Sequence, residues 1–207
     1  MPDVLINVAA IRRRTRVSGP GWRAAVWVQG CTIRCPGCFN PDTHPHVARH
    51  LWDPERLADE LLRGDVEGVS LLGGEPFEQA AACAALARAV QDAGKTVVTY
   101  SGYTVSDLSA STLPETRALI AATDLLIAGP YLAAARNDGR GWHGSTNQEM
   151  VFLSDRYGPE IFEVLDALPV VELRTDGERL DCTGIPAQVD LHLLRTLERR
   201  RDPAKER

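Results

Sequence analysis

No apolar run in this chain of 207 residues approaches the roughly 18 residues of a membrane-spanning helix. Positive charge is not in excess either. Lys and Arg total 23 against 28 Asp and Glu, a net charge of -5, which argues against a nucleic-acid surface spread over the whole molecule and leaves room only for a local basic patch. The stretch MPDVLINVAAIRRRTR places its apolar residues before its charges, the reverse of a secretory signal, so a cytoplasmic protein is expected. Internal repeats and low-complexity linkers are lacking. Cysteine is scarce, at five residues, an odd number. Three of the five crowd into residues 31–38, too close to pair well with one another, which excludes a disulfide framework. In a reducing compartment such a cluster points to a metal or iron–sulfur site. What is present is ordinary for one soluble domain: 44% hydrophobic and 25% charged residues.

The chain alternates β-rich runs with helical patterns. VLINVAA (4–10) and AAVWVQG (24–30) read as strands, and the second feeds the cysteine-rich stretch. DPERLADELLRGD (53–65) has Asp53 as N-cap, Pro54 at the first helical position and apolar residues at helical spacing. GVSLLGG (68–74) is a buried strand ending in glycines, and residues 76–94 form an alanine-rich helix closed by Gly94. KTVVTYSG (95–102) and DLLIAGPY (124–131) are strands flanking one or two helices over 106–123. This β-α-β-α-β-α-β order predicts a mostly parallel sheet with crossover helices, an α/β fold. In such folds functional loops lie beyond the C-terminal ends of strands. The cysteine loop, GGEP (73–76) and SGYT (101–104) each follow a strand, so they are expected at one edge of the sheet. Residues 133–148 read as a long polar loop, EMVFLSD and VVELRTDG as strands, and QVDLHLLRTLERRRDPAKER as a short helix running into a charged tail. Cys83 sits in a helical apolar pattern and reads as a small core residue; Cys182 reads as structural.

GCTIRCPGCFN (30–40) places Cys31, Cys35 and Cys38 at the spacing C-x3-C-x2-C. A structural zinc ion takes four protein ligands, so these three would need His44 or His46 as well. The first gap of three departs from the paired C-x2-C of zinc knuckles. The other candidate is a [4Fe–4S] cluster held by three cysteines, with one iron left open for a ligand, and the spacing favours it.

The spacing in this loop resembles the signature of the radical S-adenosylmethionine superfamily. The resemblance implies that the amino and carboxylate groups of S-adenosylmethionine chelate the open iron. Reductive cleavage then yields a 5′-deoxyadenosyl radical that takes hydrogen from a substrate. GGEP resembles the glycine-rich motif that binds the methionine amino group, with Glu75 facing the amine. SGPGWRAAVWVQGC, CPGCFN, SGYT and GSTNQ resemble, in order, segments of the small activases of glycyl radical enzymes, above all those of anaerobic ribonucleotide reductase. Ala128 stands where that group often has aspartate, and His143 where an arginine usually precedes the G-S-S-N-Q segment. The stretch 168–189 resembles a strand-turn-strand found in some of its members.

The resemblance implies an incomplete (β/α)6-type partial TIM barrel. Residues 1–190 are expected to form a single cluster-bearing domain, and 191–207 a charged C-terminal helix or tail. The metal ligands are Cys31, Cys35 and Cys38, and the cofactor-binding residues Phe39, Gly73, Gly74, Glu75, Ser101 and Asn147; no catalytic side chain is expected beyond the cluster and cofactor. Arg23 is expected to contact partner or cofactor, or to be solvated. The implied partners are a large glycyl radical enzyme and a flavodoxin- or ferredoxin-type electron donor, with no nucleic acid and no membrane. Two other readings are a radical enzyme acting on a peptide or small molecule, and a non-catalytic zinc or iron–sulfur interaction module.

Overall fold

The computed structural model describes residues 4–137, 141–167, 171–175 and 180–184, so the expected helix and tail over 188–207 lie outside the described residues. Its centre is a seven-stranded mixed sheet. Strands β1 (Ile6–Thr15), β2 (Arg23–Val28), β3 (His50–Trp52), β4 (Gly68–Gly73), β5 (Thr96–Ser101), β6 (Leu125–Ala128) and β7 (Glu149–Phe152) lie in the order β3-β1-β2-β4-β5-β6-β7. The pairs β2–β4, β4–β5 and β5–β6 are parallel, while β1, β3 and β7 pair antiparallel at the flanks. A separate hairpin joins β8 (Val171–Thr175) to β9 (Leu180–Gly184).

The crossovers between parallel strands are helical, as expected. They are α1 (Pro54–Leu62), α2 (Ala80–Asp92), α3 (Val105–Ala110) and α4 (Pro114–Ala121). Asp53 caps α1 by accepting from the Arg56 N–H at 2.9 Å, with Pro54 in the first turn. Thr104 and Asp107 form a capping box on α3. Gly94, in the left-handed region at φ +74°, ends the turn after α2. A 3-10 turn over Pro76–Gln79 precedes α2, because Pro76 cannot donate into a helix and Glu75 caps its start.

Strand parity divides the sheet's two faces. Val26, Val28, Leu71, Val97 and Leu126 turn toward the helices, where Leu57, Leu61, Leu86 and Leu119 cover them to form the main core. Burying each leucine stabilises the fold by about 2 kcal/mol. On the opposite face Val98, Leu125 and Ile127 meet Trp142, from a loop, and Ile161, from a 3-10 helix over Pro159–Ala167. That thinner covering leaves a cavity on this face.

Arg23 corrects the expectation drawn from its sequence context. It is 0% exposed and lies at the N-terminal end of β2, at the edge of the sheet opposite the cysteine loop. Its guanidinium donates to Ser70 Oγ at 2.8 Å, Val69 O at 2.7 Å, Thr96 O at 2.9 Å, Tyr157 OH at 2.8 Å and Pro20 O at 3.2 Å. Burial lowers its pKa, and every one of these partners is a neutral oxygen. Arg23 therefore ties β2, β4, β5 and two loops together from inside. Arg23→Met removes all these donors and strands buried carbonyls, each costing about 1–3 kcal/mol, so a loss of about 3 kcal/mol or more is expected in urea unfolding. Wild-type stability in that variant would show the network to be incidental.

Candidate iron–sulfur site

The loop after β2, the turn after β4 and the turn after β5 meet at one edge of the sheet because their strands run parallel and in register. Backbone hydrogen bonds lace the first two. Gly74 N donates to Val28 O and Glu75 N to Gly30 O, both at 2.8 Å. A Cβ on Gly73 would stand 2.5 Å from Val28 N, and one on Gly74 would collide with the Gly30 carbonyl. Gly73 also holds φ at +111°. The glycines of GGEP are thus required by the neighbouring strand's backbone, whatever ligand lies beyond.

Glu75 carries the lacing to the third loop. Its side chain is buried, 1% exposed, and accepts from Gly102 N at 2.7 Å, Ser101 Oγ at 3.0 Å and Phe77 N at 3.0 Å. Three of about four acceptor sites are filled, leaving one for a further donor. Burial raises its pKa to about 7, against the pull of those donors. The Ser101 hydroxyl spends its proton on Glu75 and accepts from Tyr103 N, so it serves the loop geometry first.

The cysteine loop is held from its far side. Gly30 N donates to Thr43 O, Cys31 N to His44 O, and Cys38 N to Cys35 O. Thr32 binds Glu78 through both its N–H and its hydroxyl. Between the first two cysteines, Arg34 adopts φ +50°, the left-handed region that costs a non-glycine residue about 1 kcal/mol. Burial raises the pKa of Cys31, opposed by backbone N–H groups of Arg34 and Ile33 directed at the sulfur. Cys38 is likewise raised by burial, and its sulfur accepts from Asn40 N at 3.4 Å. Backbone N–H groups aimed at sulfur suit thiolates that ligate an iron–sulfur cluster.

Cys31, Cys35 and Cys38 line one cavity of about 210 Å³ together with Phe39, Gly73, Gly74, Glu75 and Ser101. Phe39 packs on Tyr131, ring centroids 4.9 Å apart, and Arg136 lies over its ring. Among the described residues no three His, Cys, Asp or Glu side chains converge as ligands of a single metal ion would. His44 lines the cavity, and no protein group pairs with its buried Nε2. His46 turns away to Glu78, at 3.2 Å.

Asn147 is not brought to the cavity. It is exposed, and its carboxamide donates to Pro130 O at 2.8 Å. Its neighbour Gln148 lines the wall instead, accepting from Gly144 N and donating to Gly129 O. Tyr100, Trp27 and Trp142 also line the cavity, and sequence reasoning missed them. Strand alternation would have found Trp27 and Tyr100, both placed opposite the helix-facing residues. Cys83 is buried in α2, as expected, whereas Cys182 is exposed on β9 and lines the cavity.

Residues 17–151 match the family described as a 4Fe-4S single cluster domain. The anaerobic ribonucleoside-triphosphate reductase-activating protein of Vibrio cholerae is 32% identical over 143 residues, 64% of this chain and 88% of that protein. The pyruvate formate-lyase-activating enzyme of Listeria monocytogenes is 35% identical over 85 residues, 38% of this chain and 34% of that enzyme. Among solved structures, QueE from Escherichia coli covers 49% of this chain and 53% of its own at 16% identity and a TM-score of 0.37, too slight a likeness to bear on the fold.

Glu75 makes the folded chain sensitive to pH. The native acid keeps its proton up to about pH 7, whereas an unfolded glutamate releases it near the ordinary 4.5. The folded state therefore binds more protons between those values. Its stability is fullest below about pH 4.5 and falls as pH rises through about 7, by an amount on the order of 3 kcal/mol. Urea unfolding of the cluster-free chain between pH 5 and 8 should show this decline. In Glu75→Gln the decline should vanish over the same range; an equal slope in both chains would assign it to another group.

Proposed function

The chain belongs to the family of 4Fe-4S single cluster domains, and from that premise we propose that it is a radical S-adenosylmethionine activase that installs a glycyl radical on an anaerobic ribonucleotide reductase. One observation carries the reading. Three thiols from a single loop face the same cavity as the Gly73–Glu75 turn and the Ser101–Gly102 turn. Three protein ligands leave one iron of a [4Fe–4S] cluster open, and the adjoining turn offers the spare acceptor site of Glu75 to an amine.

In this reading Cys31, Cys35 and Cys38 hold the cluster. Gly74 and Glu75 receive the amino end of S-adenosylmethionine, with the ring of Phe39 and the loop around Gln148 closing the wall. Together the cluster and cofactor supply one-electron cleavage of the sulfonium and the hydrogen abstraction that follows. The protein's own residues orient the reactants, exclude water and keep the ligating sulfurs in a hydrogen-bonded, half-buried setting. Helices on one face of the sheet and a cavity on the other support an incomplete (β/α)6-type barrel with its open end at the cysteine loop. No described helix is long and apolar enough to cross a membrane, in keeping with work in the cytoplasm beside a flavodoxin- or ferredoxin-type electron donor.

The test is direct. Anaerobically purified protein should be brown and hold about four irons per chain. With a reductant and S-adenosylmethionine it should release 5′-deoxyadenosine and leave a glycyl radical signal in the electron paramagnetic resonance spectrum of the reductase. Cys31→Ser, Cys35→Ser and Cys38→Ser should each lose iron, whereas Cys83→Ser, altered in the helical core, should keep it. A colourless protein holding one zinc would remove the reading, and a reductase that stays silent beside an active cluster would remove its substrate.

A further inference from the structure

The cavity is not built from the family-matching residues alone. Hairpin β8–β9 lies beyond residues 17–151, yet Thr183 and Gly184 line the cavity, as do Val17 and Ser18. Two hydrogen bonds fix this junction. Arg16 N donates to Glu172 Oε1 at 2.8 Å, and the Arg174 guanidinium donates to Arg14 O at 2.6 Å. Glu172 pairs with Thr183 across the hairpin, and cross-strand partners put their side chains on one face. Thr183 therefore faces the same side as the carboxylate that holds Arg16, toward the segment that continues into Val17 and Ser18.

Both hydroxyls at this junction are available. Ser18 is 2% exposed and Thr183 6%. Neither side-chain hydroxyl has a partner among the described residues, and neither is enclosed as the indole N–H of Trp142 is, so both open on the cavity that their residues line. Ser70 Oγ, itself bound by Arg23, donates to Ser18 O at 2.6 Å and sets its height in the cavity. Ser70 stands opposite Ala25, midway along β2 and β4. From Ser70 along β4 to Gly74 is four residues, about 13 Å. The hydroxyl pair thus shares one cavity with Glu75 and the thiols, but stands well away from them.

A cofactor seated beside Glu75 has two unlike ends. Its amino-acid end carries the charges that the open iron and Glu75 would take up. Its nucleoside end is neutral and bears a ribose diol. A hydroxyl both gives and accepts a hydrogen bond, so two protein hydroxyls match a diol. Once a ligand displaces water from the cavity, each hydroxyl must find its partner in that ligand. We propose that Ser18 and Thr183 form the nucleoside end of the cofactor site, their hydroxyls bonding the ribose diol of S-adenosylmethionine, so that hairpin β8–β9 is part of that site. The inference rests on the reading that S-adenosylmethionine binds beside Glu75, and it names the residues that would hold the cofactor's other end.

The experiment uses the cluster-loaded chain without reductant, so that no turnover occurs. Equilibrium dialysis gives the dissociation constants of S-adenosylmethionine and of its 2′,3′-dideoxyribose analogue. Thr183→Val keeps the shape of the side chain and deletes its hydroxyl, and Ser18→Ala deletes the other. Each should weaken binding of S-adenosylmethionine about fivefold. The dideoxy analogue has no diol to lose, so both variants should bind it as the wild type does. Thr183→Ser should keep wild-type affinity for S-adenosylmethionine. Equal dissociation constants for S-adenosylmethionine in the wild type and both variants overturn the inference and leave the activase reading standing. Losses of the same size for both ligands mark a merely structural role and overturn it too. A wild-type chain that holds its cluster yet binds no S-adenosylmethionine removes that reading, and this inference with it.

Discussion

The geometry of the site depends on one buried carboxylate. Glu75 leaves β4 at the point where the cysteine loop leaves β2, and its backbone N–H ties it to Gly30. Its side chain then reaches across to β5 and takes donors from Ser101 and Gly102. Three loops that share no sequence proximity are thereby fixed with respect to one another. Ile33 of the cysteine loop completes the junction, for a Cβ on Gly102 would lie 2.7 Å from its Cδ1. The arrangement tolerates little change, because Gly73, Gly74 and Gly102 each sit where a side chain would meet a neighbour.

Arg23 plays the matching part at the opposite end. A lone guanidinium buried among neutral oxygens bears a large desolvation cost, repaid only if nearly all its donors are used. Its oxygen partners on β4, β5 and two loops meet that demand. A buried cation thus anchors the N-terminal ends of the strands, and a buried acid the C-terminal ends. The cavity lies between these anchors, with Glu75 on its wall and Arg23 within electrostatic reach of Tyr100, which also lines it.

Much of this was legible in the sequence, and the exceptions have physical causes. The parallel order of β2, β4, β5 and β6 could be read because strands buried on both faces appear as continuous apolar runs. The 133–148 loop and the helix boundaries followed from turn chemistry and caps. β3 went unseen: three residues at a sheet edge, His50–Trp52, carry too little pattern to register. The length of β1 was hidden by Arg12, Arg13 and Arg14, whose charges look like the end of a strand but ride on a partly exposed one. Arg23 was misjudged because its burial comes from residues 46, 47, 73 and 134 positions away, which no local window contains. The cysteine loop could be read because its meaning lies in spacing. The contrast between Asn147 and Gln148 could not, since it turns on which of two adjacent carboxamides the loop rotates inward.

Charge decides what such a cavity can accept. Its rim holds thiols and one carboxylate whose pKa stands near 7, a setting in which an approaching ammonium would favour the ionised acid. A cation at the rim therefore relieves the strain that burial places on Glu75. Deeper in, neither a cation nor a carboxylate is available among the described lining residues. The electrostatics of the cavity thus favour a cationic group at the rim, beside Glu75 and the thiols.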